Sequence, residues 1–299
     1  MDTDQGDTAL QTMKKKVLTA IIIIILAAAA AAAAAFFAVY GDRSPGWHDS
    51  AAGFRYYADE SGEIARGYRQ IEGEPYYFDR FGRPYEKGWI ADPEGSEAQY
   101  YCTGGGKLLT GWHYIDGKAW YFYEESAPDK GVLAGETARN ITTPGGIVIG
   151  ETGYIDGEEG EALGYGIDVL NRFGWDLVSA YKYSGSLRYA DGRETDYGLR
   201  IHKCALKGFR DGEGNCLAWA GTFCTMARLL GYDCRMVWGT LWFRGEYVTH
   251  AWTEIPEEDG IHVYDPRHRA GKDLSGFDVR YGDPGTYKYN EETKQYLEW

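Results

Sequence analysis

The stretch Gly214-Asn215-Cys216-Leu217-Ala218-Trp219-Ala220-Gly221-Thr222-Phe223-Cys224-Thr225-Met226-Ala227-Arg228-Leu229-Leu230-Gly231 decides how the C-terminal half of this chain is read. A Gly-Asn turn gives way to a helical pattern that ends at a glycine; asparagine caps helix starts and glycine terminates helices. Cys216 therefore opens a helix, where oriented N–H groups favour a thiolate. Downstream come Thr249-His250-Ala251-Trp252-Thr253-Glu254 and Tyr264-Asp265-Pro266. A lone cysteine is more often a small buried hydrophobe than a nucleophile. His250 changes that reading, because it can take the thiol proton and return it to a leaving amine. Asp265, at a strand end, can hold the imidazole in one tautomer and stabilise its cation. Trp252, two residues beyond His250 on the same strand face, can shield the pair from water.

Outward from this motif, residues 163–183 have helical spacing through Ile167, Leu170, Phe173, Leu177 and Tyr181. A polar loop over 184–195 and a second amphipathic stretch over 197–208 follow. Residues 234–241 and 247–255 have strand composition, with Arg244-Gly245 as the turn between them, and 261–264 is a third short strand. Helices followed by an antiparallel meander predict an α+β domain. Gly214-Asn215-Cys216, Leu229-Leu230-Gly231, Gly239, His250-Ala251-Trp252 and Asp265-Pro266, in that order, resemble the transglutaminase-like superfamily, distant relatives of papain-type cysteine proteases. The resemblance spans about 163–269 and implies Cys216 as nucleophile, His250 as base and Asp265 as orienting acid. The backbone N–H of Cys216 would serve the oxyanion, with Tyr181 or Tyr183 as the candidate side-chain partner. His202, His262 and His268 lack such a context and read as surface or loop histidines.

Ahead of this domain the chain repeats at about twenty residues. The units are Gly67-Tyr68 with Tyr76-Tyr77-Phe78, Gly88-Trp89 with Tyr100-Tyr101, and Gly111-Trp112 with Trp120-Tyr121-Phe122; part of an earlier unit lies at 54–65. Each pairs two aromatic strands across a polar turn such as Asp116-Gly117, the pattern of a β-hairpin. Hairpins this small must stack into a solenoid-like array to bury a face. The pattern resembles the choline-binding and glucan-binding repeats of Gram-positive surface proteins. That resemblance implies wall choline or glycan as ligand, with Trp89, Trp112, Trp120 and Tyr121 as the matching positions. Tyr68 replaces the first tryptophan, and 92–98 is an insertion. The same aromatics would equally hold the hairpins together as a spacer.

Lys14-Lys15-Lys16 precedes an apolar run over 17–39, broken by Thr19. Its length matches the ~20 residues that cross a bilayer and exceeds a signal-peptide core of roughly 7–15. The lysines should stay cytoplasmic, which reads the run as a retained single-pass transmembrane signal anchor, with cleavage after one of its alanines as the alternative, and leaves the rest extracellular. The expected organisation is a cytoplasmic tail (1–16), the anchor (17–40), wall-binding-like hairpins (53–134), a Gly-rich linker (135–160) and the transglutaminase-like domain (161–299). The 25 Tyr and 10 Trp among 299 residues favour ligand stacking in the repeats. A net charge of −14 argues against nucleic acid. The five cysteines form no Cys-x-x-Cys pair, so no zinc ribbon is expected, and neither a metal nor an organic cofactor is implied. Outside the membrane Cys204 and Cys234 are candidates for a disulfide. The chain reads as a membrane-anchored thiol peptidase, amidase or cross-linking acyltransferase acting on peptide or protein amides. The rival reading is a non-catalytic surface adhesin that keeps the thiol fold as scaffold. The tail over 271–299 has no reading beyond packing.

Overall fold

The computed structural model describes residues 3–91, 98–191, 199–266 and 274–299. The chain divides into two compact units, residues 1–90 with 101–108 and residues 91–100 with 109–299.

The first unit opens with helix α1 (Thr3–Val39). Its segment Lys15–Val39, 25 residues long, is apolar enough to cross a membrane. Strands β1 (Gly46–Asp49) and β2 (Arg55–Ala58) form a hairpin, as do β3 (Gly67–Ile71) and β4 (Glu74–Phe78). The first hairpin is a repeat unit that starts earlier than the sequence reading placed it. Trp47 occupies the Gly-aromatic position and packs on Tyr57, Tyr76 and Phe78 at 5.4–5.7 Å. Strands β5 (Gly88–Ala91) and β6 (Gln99–Cys102) form another two-stranded sheet. The insertion over 92–98 lies largely outside the described residues.

In the second unit β7 (Gly111–Ile115) and β8 (Lys118–Phe122) turn at Asp116-Gly117, both at positive φ (51° and 77°). That is the turn whose twist matches a two-residue hairpin. The Gly-rich stretch beyond it carries three short strands, β9 (Ile141–Thr142), β10 (Val148–Ile149) and β11 (Tyr154–Ile155); β11 adds to the β7–β8 hairpin. The helical spacing over 163–183 resolves into two helices, α2 (Gly157–Phe173) and α3 (Leu177–Ser186). Gly174, at φ 124°, breaks them, and the Asp176 side chain caps α3 by accepting from the Ser179 N–H. Strand β12 (Arg188–Tyr189) runs parallel to β13 (Glu213–Gly214), which leads into the motif helix. Helix α4 (Ile201–Asp211) lies between those two strands in the chain, and α5 (Cys216–Leu229) follows β13.

Helix α5 is apolar all round, and from Leu217 to Ala227 every residue is buried, as a helix at the centre of a core must be. Its contact with α4 is close because Gly221 faces backbone: a Cβ there would lie 2.7 Å from the Ala205 nitrogen. Backbone cannot give way as a side chain can. Gly221→Ala is therefore expected to cost about 1–3 kcal/mol, measured as a fall in urea midpoint with m unchanged; an unchanged midpoint would contradict this contact.

Strands β14 (Arg235–Phe243), β15 (Glu246–Glu257), β16 (Gly260–Tyr264) and β17 (Lys288–Tyr296) form an antiparallel sheet in the order β16-β15-β14-β17. Arg244-Gly245 is the β14–β15 turn, as expected. The tail does more than pack: β17 completes this sheet as its edge strand beside β14.

Candidate active site

Cys216 is the first residue of α5, and the Asn215 side chain caps that helix by accepting from the Leu217 N–H at 3.0 Å. His250 stands on β15, opposite Gly239 of β14. Asp265 follows β16 directly, its N–H donating to the Gly276 carbonyl at 2.8 Å. These elements bring all three side chains together. His250 Nε2 meets Asp265 Oδ2 at 2.8 Å, and the Cys216 thiol lies beside the same imidazole, near enough to raise its pKa. Since Nε2 is engaged by Asp265, Nδ1 is the nitrogen left for Cys216. Asp265 is fully buried and His250 is 7% exposed, whereas Cys216 is half-buried.

The electrostatics follow from this packing. Burial pulls the His250 pKa down. The charge and hydrogen bond of Asp265, joined by the neighbouring Cys216, outweigh it and leave the pKa raised to about 10. The pair is walled by aromatics: the Trp252 ring lies nearly parallel to the imidazole at 6.3 Å, and Tyr287 stands edge-on at 6.0 Å. Trp252 fits because Gly239 has no side chain; a Cβ there would sit 2.8 Å from the Trp252 ring.

The other candidates fall elsewhere. Tyr181 is buried and donates its hydroxyl to the Asp265 carbonyl at 2.9 Å, so it anchors the main chain that carries the acid. Tyr183 packs against Phe173 and Phe209. The Tyr181 hydroxyl is thereby committed to the main chain, and the Tyr183 ring is held between α2 and α4. All five cysteines are free thiols, and the Cys204–Cys234 disulfide does not form. Instead the Cys224 thiol donates to the Cys234 carbonyl at 3.3 Å. His202 and His262 are buried rather than superficial, and His268 lies outside the described residues. His262 is bonded to Asp259 and Asp278. Glu257, Asp259 and His262 are close enough to share a cation, but the Arg280 guanidinium already reaches both Asp259 and His262.

Of the repeat aromatics, Trp89 is 40% exposed and meets Tyr101 edge-on at 5.2 Å. Trp112, 5% exposed, belongs to the core of the second unit, and Trp120, 8% exposed, packs against Tyr154 of β11 at 5.0 Å. Tyr121 is half-buried, with its ring 5.1 Å from Trp112.

Residues 177–266 match the family described as the transglutaminase-like superfamily. No curated protein matches the chain. Among solved structures, choline binding protein F from Streptococcus pneumoniae is similar at 27% identity, over 37% of this chain and 33% of that one, with a TM-score of 0.27. The same protein in the presence of a peptidoglycan analogue gives 28%, 37%, 33% and 0.27. The choline binding domain of another Streptococcus pneumoniae protein is 24% identical over 31% of this chain and 93% of its own, with a TM-score of 0.24. The chain spans about a third of the length of choline binding protein F. These structural neighbours cover the N-terminal region. Residues 177–266, which hold Cys216, His250 and Asp265, are a transglutaminase-like domain, and a run of aromatic hairpins precedes them.

Proposed function

We propose that this is a membrane-anchored extracellular thiol enzyme that cleaves or exchanges amide bonds at the cell wall, with Cys216, His250 and Asp265 as its catalytic set. The observation that carries the reading is the juxtaposition itself: buried Asp265 bonded to His250 at 2.8 Å, with half-buried Cys216 at the start of α5 beside the same imidazole. In this mechanism the Cys216 sulfur attacks an amide carbonyl carbon. The carbon–nitrogen bond breaks, and the amine leaves with the proton that His250 had taken from the thiol. Water or a second amine then attacks the thioester, gives a proton to His250 and frees the thiol. The backbone N–H of Cys216 is the proposed oxyanion donor. Asp265 keeps the imidazole turned towards Cys216 and stabilises its charged form.

The apolar segment of α1 would hold the enzyme at the membrane, with Lys14–Lys16 on the cytoplasmic side. The hairpins would bring it to wall choline or glycan. Exposed Trp89, with Tyr101 beside it, offers the more open aromatic surface for stacking, and Trp112, Trp120 and Tyr121 would support the last hairpin.

The test is incubation of the full chain with amide-bearing wall peptides, with and without a fluorescent primary amine. Ammonia or amine release alone identifies hydrolysis, and label incorporation identifies transfer. Neither product, in a protein whose Cys216 alkylates no faster than a free thiol, leaves the non-catalytic adhesin as the account.

A further inference from the structure

Asp265 Oδ2 carries two donors: His250 Nε2 at 2.8 Å and the Tyr289 hydroxyl at 3.0 Å. Tyr289 lies on β17, paired with Leu241 of β14 and outside the residues that match the family. It reaches the acid across the flat spot at Gly239, where the Trp252 ring spans the gap and packs on Tyr289 at 4.9 Å. The remaining ring contacts of Tyr289 are Tyr281 at 5.7 Å and Tyr287 at 6.2 Å. A second line stiffens this arrangement. Trp252 Nε1 donates to the Tyr281 hydroxyl at 2.8 Å, and Tyr281 donates to buried Glu254. Glu254 also accepts from Lys294 at 3.1 Å and from Tyr296 at 2.8 Å, both on β17. The edge strand is thus bonded to the acid directly and to the imidazole's aromatic wall indirectly.

We infer that Tyr289 is a positioning residue of the site: its hydroxyl fixes the Asp265 carboxylate so that the lone pairs of Oδ2 face His250. The inference rests on the proposed thiol chemistry for its consequence, but not for its geometry. Among the described residues, the groups facing Asp265 include His250 from β15, Tyr289 from β17 and Tyr181 from α3 at the carbonyl. Cys216 from α5 lies beyond the imidazole, and Tyr281 and Tyr287 border Tyr289. Burial and the neighbouring carboxylate push the phenol pKa well up, so the hydroxyl remains a donor throughout the working range. A neutral donor on a carboxylate favours the charged form, and removing it makes the acid easier to protonate.

The experiment is Tyr289→Phe in the full chain, which keeps the ring and removes one donor. The rate of Cys216 alkylation by iodoacetamide is followed against pH. A hydrogen bond to a charged group corresponds to about one pH unit or more, so the acid midpoint should move up by about that amount. Coincident profiles, or a uniform loss at every pH with an unmoved midpoint, overturn the inference, since the second is what a purely structural role gives. A second readout, the NMR titration of the His250 ring in Cys216→Ala with and without Tyr289→Phe, needs no thiol. Its acid midpoint should rise in the same sense, and an unmoved midpoint overturns the inference. A risen ring midpoint with a sluggish wild-type Cys216 would sink the enzyme reading and leave Tyr289 in place. A fast Cys216 with an unmoved midpoint would do the reverse.

Discussion

Cys216→Ala is expected to lower amide turnover by on the order of 10⁴-fold or more, and His250→Ala by a comparable factor. The two effects should not add. The thiol without its base is protonated and slow, and the base without its thiol has nothing to activate, so the double variant should be no worse than the worse single one. Turnover of wall peptides or model amides by purified variants measures this. Losses that multiply would mean that Cys216 and His250 act in separate steps. A His250→Ala protein with wild-type turnover would remove the imidazole from the mechanism.

Asp265→Ala should have the largest effect on stability. It strips a buried imidazole of its charged partner, a change that costs about 3–5 kcal/mol when a buried ion pair loses one member. The cost should depend on pH in one sense. In the wild type the His250 pKa is raised from 6.5 to about 10. A raised folded-state pKa means that the native protein holds a proton the unfolded chain releases. The pair therefore stabilises fully below about 6.5, and its contribution is lost as pH rises through about 10. The gap between wild type and Asp265→Ala in urea unfolding should be widest near pH 6 and should close towards pH 10. A gap that widens with pH would mean that the pair is not imidazolium with carboxylate.

Much of this site was legible locally. Asn215 before Cys216 is a capping signal read from neighbouring residues, and His250 stands inside an alternating strand at a position that needs a chemical reason. The Arg244-Gly245 turn likewise depends on residues next to each other. What was not legible depends on pairing across long separations. The β17 sequence Lys-Tyr-Asn-Glu-Glu-Thr-Lys-Gln-Tyr is polar because it is an edge strand, and nothing local says that Tyr289 lies beside Asp265. The partner of the Tyr181 hydroxyl is hidden for the same reason, being a carbonyl 84 residues away. His262 was misread as superficial because Asp278 and Arg280 reach it from a later loop. The break at Gly174 escaped because Phe173, Leu177 and Tyr181 keep helical spacing through it. The Asp176 cap was the signal that betrayed it. In the hairpins Gly46-Trp47 carries the Gly-aromatic dipeptide of a first unit, whereas the burial of Trp112 follows from the core it joins and that of Trp120 from Tyr154 of the added strand β11.

The most direct test of the central claim is peptide mass spectrometry of the full chain after limiting iodoacetamide at neutral pH. Burial excludes Cys102, Cys204, Cys224 and Cys234, and it pushes the Cys204 thiol up to about 12, whereas Cys216 is half-buried beside His250. Exposure alone would favour Cys216, so the His250→Ala protein must be labelled in parallel. The account predicts that Cys216 is modified first and that His250→Ala slows this on the order of 100-fold. Labelling of Cys216 at the same rate in both proteins would contradict it.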